Sequence, residues 1–157
     1  MTEDLRGFLV RAKHNGYAGA DDAATVERPL LEGSMQLEFS DGPWLYRDLY
    51  FGMRSFTGIE TVWRAGRPVW SMAYAGGMVA DAADMGEVYA FLRAALRAMP
   101  DGFPVRGPAR FDDRSGKAEW SYRMTADGDV TRFTGDEEIL LGARRVYGLR
   151  FAGGLVS

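Results

Sequence analysis

Leu5, Phe8, Leu9 and Ala12 recur at the three- and four-residue spacing of one helix face. Thr2 with Glu3 and Asp4 opens that segment, and Lys13-His14 followed by Asn15-Gly16 closes it, so the spacing predicts an amphipathic first helix. The same period returns in Val88, Phe91, Leu92, Ala95 and Met99, behind the capping-box sequence Asp84-Met85-Gly86-Glu87 and ahead of the stop at Pro100. Elsewhere the period falls to two. Alternation over 35–39, 44–51, 59–64 and 68–74, separated by turn sequences such as Ser40-Asp41-Gly42-Pro43 and Ala65-Gly66, predicts a run of antiparallel strands. A similar run is expected near 109–112, 118–125, 136–141 and 145–151.

The segment from Phe56 to Val79 repeats from Phe133 to Val156 without a gap, at a constant offset of 77 residues and with 10 of 24 positions identical. Fixed-period similarity of this kind points to a repeated unit. The expectation is an α+β fold made by tandem duplication of a helix plus a four-strand antiparallel meander, related by a pseudo-twofold, with both helices packed on the sheet. The chain is then one domain, 1–157, of two similar halves, 1–80 and 81–157; units of that size would be marginal apart. The first half carries about seven extra residues within Tyr17 to Gly33. A long connection of this kind is either a surface excursion or the rim of a pocket.

Composition narrows the partners. Hydrophobic residues make up 46% and charged residues 26% of the chain, which suits a globular protein. A net charge of −3, with no long basic run, disfavours nucleic acid. No stretch is apolar enough to span a membrane. With no cysteine and an acidic amino end, the cytoplasm is the expected compartment. One histidine and no cysteine leave a transition-metal site almost nothing but carboxylate, so neither metal nor cofactor is expected. Ala75-Gly76-Gly77 and Ala152-Gly153-Gly154 lack the spacing of a phosphate loop and read as bulges or close backbone packing.

The candidate chemistry lies in the strands. Trp44, Tyr46, Asp48 and Tyr50 share a strand face, and the position matching Asp48 in the second half is Met124. An apolar neighbourhood would desolvate that carboxylate, raise its pKa and make it a candidate acid or base; alternatively it bonds a tyrosine hydroxyl or a backbone amide, or sits at a rim. Glu60 and Glu137 occupy matching positions. They either face each other across a cavity, to hold a cation or act as an acid and base, or anchor a strand start or pair with an arginine such as Arg67 or Arg144. Trp63, Trp70 and Tyr74 have Leu140, Tyr147 and Phe151 as their counterparts at the repeat offset, so the first half is the better candidate for an aromatic pocket wall.

The runs Asp41-Gly42-Pro43-Trp44, Tyr46 to Gly52, Phe56 to Glu60 and Val69 to Gly76 resemble an uncharacterised bacterial and archaeal family, found alone or behind Xre-type helix-turn-helix modules. The resemblance implies no activity and no catalytic residue, but a sensor domain is the usual companion of such a module. The leading expectation is a ligand-binding or sensor-like domain. Trp44, Tyr46, Tyr50, Trp63, Trp70 and Tyr74 would wall its pocket, and Asp48, Glu60 and Glu137 would polarise it for a small amphipathic or cationic molecule. The alternatives are a metal-independent isomerase, cyclase or hydrolase with Asp48 or Glu60 as acid/base, and an interaction module such as a homodimer.

Overall fold

A computed structural model of the chain describes residues 2–16, 25–79, 83–100, 106–116 and 118–157. Helix α1 (Thr2–Asn15) precedes strands β1 (Met35–Asp41), β2 (Trp44–Phe51), β3 (Ser55–Arg64) and β4 (Arg67–Met78). Helix α2 (Met85–Arg97) precedes β5 (Arg110–Asp113), β6 (Trp120–Asp129), β7 (Arg132–Leu141) and β8 (Arg144–Leu155). All eight strands form one antiparallel sheet in the order β1-β2-β3-β4-β8-β7-β6-β5.

This corrects the expected fold class. The chain is not an α+β tandem of two helix-plus-meander units; it is a mostly-β fold with two short helices of 14 and 13 residues. The physical reason lies in the two longest strands. β4 and β8 hydrogen-bond to each other from Trp70 opposite Leu155 to Met78 opposite Tyr147, so the ladder runs unbroken and no boundary divides it. The strands also run further than their alternating stretches. Thr57-Gly58, ahead of the expected strand start at Ile59, and Ala75-Gly76-Gly77, expected as a bulge or close backbone packing, are paired strand residues. A Cβ on Gly76 would lie 2.4 Å from the Gly148 carbonyl oxygen, so close backbone approach is what keeps that glycine.

The helices form where the apolar spacing requires them. Leu5, Phe8, Leu9 and Ala12 of α1 are buried, as are Val88, Phe91, Leu92, Ala95 and Leu96 of α2. Asp84 caps α2 by accepting a hydrogen bond from the Glu87 amide at 3.0 Å. Phe8 stacks on Trp44 at 5.4 Å between ring centroids, and Phe91 on Trp120 at 5.3 Å, so each helix is seated on the sheet by an aromatic pair. Between these seats the sheet contributes Val62, Trp70, Met72, Tyr122, Ile139 and Tyr147, none with any exposure. The long connection after α1 falls partly on residues 17–24, outside the described residues. Its later part lies along β1, where the Val26 amide donates to the Gln36 carbonyl at 2.8 Å and the Leu30 amide to Gln36 Oε1 at 2.8 Å.

Candidate functional site

Register places a row of carboxylates on the helix-covered face. Asp48 of β2 stands directly opposite Glu60 of β3, and Glu60 opposite Met72 of β4. Residues opposite one another share a face, so two acids meet within a row that otherwise belongs to the core. Glu137 of β7 stands between Met124 and Leu149 on the same face. Asp48, Glu60 and Glu137 are 6%, 1% and 1% exposed. Buried charges at that depth need partners.

Two cations supply them. Lys13, in the last turn of α1, donates to Glu60 Oε2. Arg106 reaches in from the segment after α2 and grips Glu137 with both sides of its guanidinium: Nη2 to Oε1 at 2.6 Å and Nε to Oε2 at 3.2 Å. Its Nη1 stands 3.6 Å from Glu60 Oε1, so the two glutamates do converge on one positive charge, the chain's own arginine. Tyr122 and Tyr147 donate to Glu137 at 2.8 and 2.9 Å and complete its shell. The expected alternative partners are elsewhere: Arg67 and Arg144 lie at hairpin turns, opposite Arg64 and Leu141, and are exposed.

Asp48 is held differently. Its hydrogen bond comes from the Tyr74 hydroxyl, at 2.6 Å to Oδ1. Gly58 makes this reach available. It lies opposite both Tyr50 and Tyr74, and a Cβ there would come within 2.4 Å of the Tyr74 hydroxyl oxygen and 2.7 Å of Tyr50 Cβ. The Tyr74 ring crosses over the glycine towards Asp48. Phe151 crosses Gly135 in the same manner but has no hydroxyl, and the residue where an acid would receive it is Met124.

Electrostatics separate these groups. Burial drives the Asp48 carboxyl up, the facing Glu60 charge adds to the rise, and the Tyr74 hydrogen bond with Lys13 and Arg106 only partly offsets it, leaving it at about 7. Burial also pushes Glu137 up, but the Arg106 charge and the hydrogen bonds from Arg106, Tyr122 and Tyr147 outweigh it and hold this carboxyl below its usual range. Burial lowers the Lys13 amine, and the neighbouring Arg106 charge lowers it further, against the pull of Glu60. Burial and the Asp48 and Glu60 charges raise the Tyr74 phenol, and burial with Glu60 and Asp48 raises Tyr46.

A cavity of about 260 Å³ opens onto this cluster. Lys13, Asp48, Glu60 and Arg106 form its polar end. Tyr46, Tyr50, Phe56, Tyr74 and Tyr147 wall it from the sheet, and Tyr89, Leu92, Arg93 and Leu96 close it from α2. Met35 and the β2–β3 turn at Gly52-Met53 contribute the rest, and Tyr89 donates to the Met53 carbonyl to tie that turn to α2.

The expected site residues therefore divide. Tyr46, Asp48, Tyr50, Glu60 and Tyr74 meet in the cavity, with Glu137 immediately behind Arg106. Three tryptophans do not belong to it. Trp44 is packed under Phe8 of α1 and Arg64, and Trp70 is a core residue that donates to the Val130 carbonyl at 3.1 Å and stacks on Phe133. Trp63 faces the other side of the sheet, where Arg47 covers its ring at 5.1 Å. Strand alternation fixes that outcome, since Glu60 and Val62 of β3 occupy the covered face and Trp63 follows them by one residue. Lys13, Arg106 and Tyr147 were not anticipated. Composition held one signal for the first: Lys13 and Lys117 are the only lysines among 19 basic residues.

Among the described residues no group of three or more His, Cys, Asp or Glu side chains is placed to hold a metal ion, and no described helix is long and apolar enough to cross a membrane. Residues 48–156 match the family described as Domain of unknown function (DUF5680), and the chain belongs to that family. No curated protein matches the chain, and no solved structure matches it.

Proposed function

We propose that this DUF5680 domain is a receptor for a small amphipathic molecule, bound in the cavity between the sheet and α2 with its polar end at Asp48. The observation that carries this reading is the cavity itself: about 260 Å³, walled mainly by aromatic and aliphatic side chains and ending on a hydrogen-bonded carboxyl group. That volume lies just below the roughly 300–1,000 Å³ of ordinary small-molecule sites. The ligand is correspondingly small. Apolar walls with a few convergent polar groups are the usual composition of a small-molecule site. The test is a thermal-shift screen of a metabolite library on the wild type, Asp48→Ala and Tyr74→Phe. A ligand at 100 times its Kd adds about 2.7 kcal/mol of stability. Hits that weaken at least tenfold in both variants support the reading; hits indifferent to both place the ligand elsewhere.

A second reading is a proton-transfer enzyme that needs no metal, with Asp48 as the acid or base. It is favoured by a carboxyl group raised to about 7 beside a tyrosine hydroxyl, which matches the operating range of a general acid or base. Conversion of any screened compound by the wild type but not by Asp48→Asn would establish it. Equal conversion by both would remove Asp48 from the chemistry.

A further inference from the structure

Of the 19 basic residues, 17 are arginines, and one of the two lysines lies inside the cavity. The Lys13 side chain is 11% exposed, its amine donates to Glu60, and Asp48 stands opposite Glu60 in the same row. An arginine could make the Glu60 ion pair equally well and would keep its proton; what a lysine adds is an amine that can give its proton up. Desolvation and a nearby second cation are the two conditions that free such an amine for nucleophilic attack, and burial and Arg106 provide both.

We propose that Lys13 is a nucleophile that forms an imine with a small aldehyde or ketone admitted to this cavity. The proposal rests on the reading that the cavity takes a small molecule. The Lys13 ammonium passes one proton to the Glu60 carboxylate it already contacts. The freed nitrogen lone pair then bonds to the carbonyl carbon while the carbonyl π pair moves to oxygen. Asp48 in its protonated form gives that oxygen a proton and takes one back from nitrogen, which leaves a neutral carbinolamine. Glu60 returns its proton to the hydroxyl, the C–O bond breaks, water departs, and the nitrogen lone pair closes the C=N bond. The products are one water and a protonated imine beside an ionised Glu60. The ammonium–carboxylate pair becomes an iminium–carboxylate pair with no change in net charge, so the surrounding ion pairs need not rearrange. No oxidant or reductant takes part.

The test uses phenylacetaldehyde, which has nine non-hydrogen atoms, with cyanoborohydride to reduce any imine to a stable secondary amine. The full chain is then analysed by intact mass and peptide mapping. The expected result is a single adduct on Lys13, formed at least ten times faster than on Lys117 or the α-amine, and absent from Lys13→Arg. Labelling of Lys117 or the α-amine at an equal or greater rate, or no adduct on Lys13, overturns the proposal. The wild-type peptide map decides this even if Lys13→Arg fails to fold. In parallel, the carbonyl-free analogue 2-phenylethanol is titrated into the wild type and followed by melting temperature. Stabilisation by the alcohol with no adduct from the aldehyde rejects the imine while leaving the receptor reading intact.

Discussion

Asp48 is the residue on which the polar end of the cavity turns, because among the described residues its hydrogen bond comes from a tyrosine, whereas Glu60 and Glu137 are bonded by cations. Its folded-state pKa of about 7 lies above the ordinary 3.8, so the native protein binds more protons than the unfolded chain between those values. Stability should therefore fall as pH rises from about 4 to about 7, by at most on the order of 4 kcal/mol. Asp48→Asn keeps an acceptor for Tyr74 and cannot ionise. Its melting temperature should exceed the wild type's at pH 8 and converge with it at pH 4; parallel curves across that window would show that Asp48 is not desolvated. Arg106 has the opposite character. Removing it in Arg106→Ala leaves Glu137 and Glu60 buried with a guanidinium missing, which should cost about 3–5 kcal/mol in denaturant unfolding. A loss below about 1 kcal/mol would mean that water replaces the arginine.

At the scale of elements, the site depends on strands that approach closely. Gly58→Ala should push the Tyr74 ring off Asp48, since the new Cβ would meet the ring and Tyr50 together. The expected outcome is lower stability, by about 1–3 kcal/mol for overpacking, together with loss of the hits that depend on Tyr74. Binding unchanged in Gly58→Ala would separate the Tyr74–Asp48 contact from recognition. Trp63 provides the contrast. It lies on the opposite face under Arg47, so Trp63→Ala should leave every affinity within about twofold, a change below about 0.4 kcal/mol. The β3–β4 turn places Ala65 at φ 48° beside Gly66 at φ 78°, a conformation that suits asparagine better than alanine. Ala65→Asn should stabilise the protein by up to about 1 kcal/mol.

Across the whole molecule, alternation carried much of what the sequence could reveal. It put Trp44, Tyr46, Asp48 and Tyr50 on one face, and Met124 at the matching position correctly marked that face as apolar. Helical spacing likewise picked out the buried faces of α1 and α2. Alternation, followed strictly, also puts Trp63 on the other face from Glu60 and Val62; the expected aromatic wall failed there because it grouped Trp63 with Trp70 across a hairpin whose β4 strand carries an extra residue, Val69. Alternation could not find Lys13 or Arg106. Lys13 continues the Leu5-Leu9 stripe of α1 by one more turn, but its charge sets it apart from the apolar face, and Arg106 arrives from an irregular segment that no local period fixes. The expected α+β duplication gave way because one eight-stranded antiparallel sheet carries the fold and the two helices are short, which makes the chain mostly β. What the strands and both helices enclose together is the cavity, and its occupancy is the most direct thing to measure. Leu96 lines it from α2, and Leu96→Trp would narrow it from that side while leaving every residue of the charged cluster in place. A thermal-shift screen of the wild type beside a folded Leu96→Trp should yield compounds that stabilise the first and leave the second unmoved. Compounds that stabilise both equally would show that binding, where it occurs, lies outside the cavity.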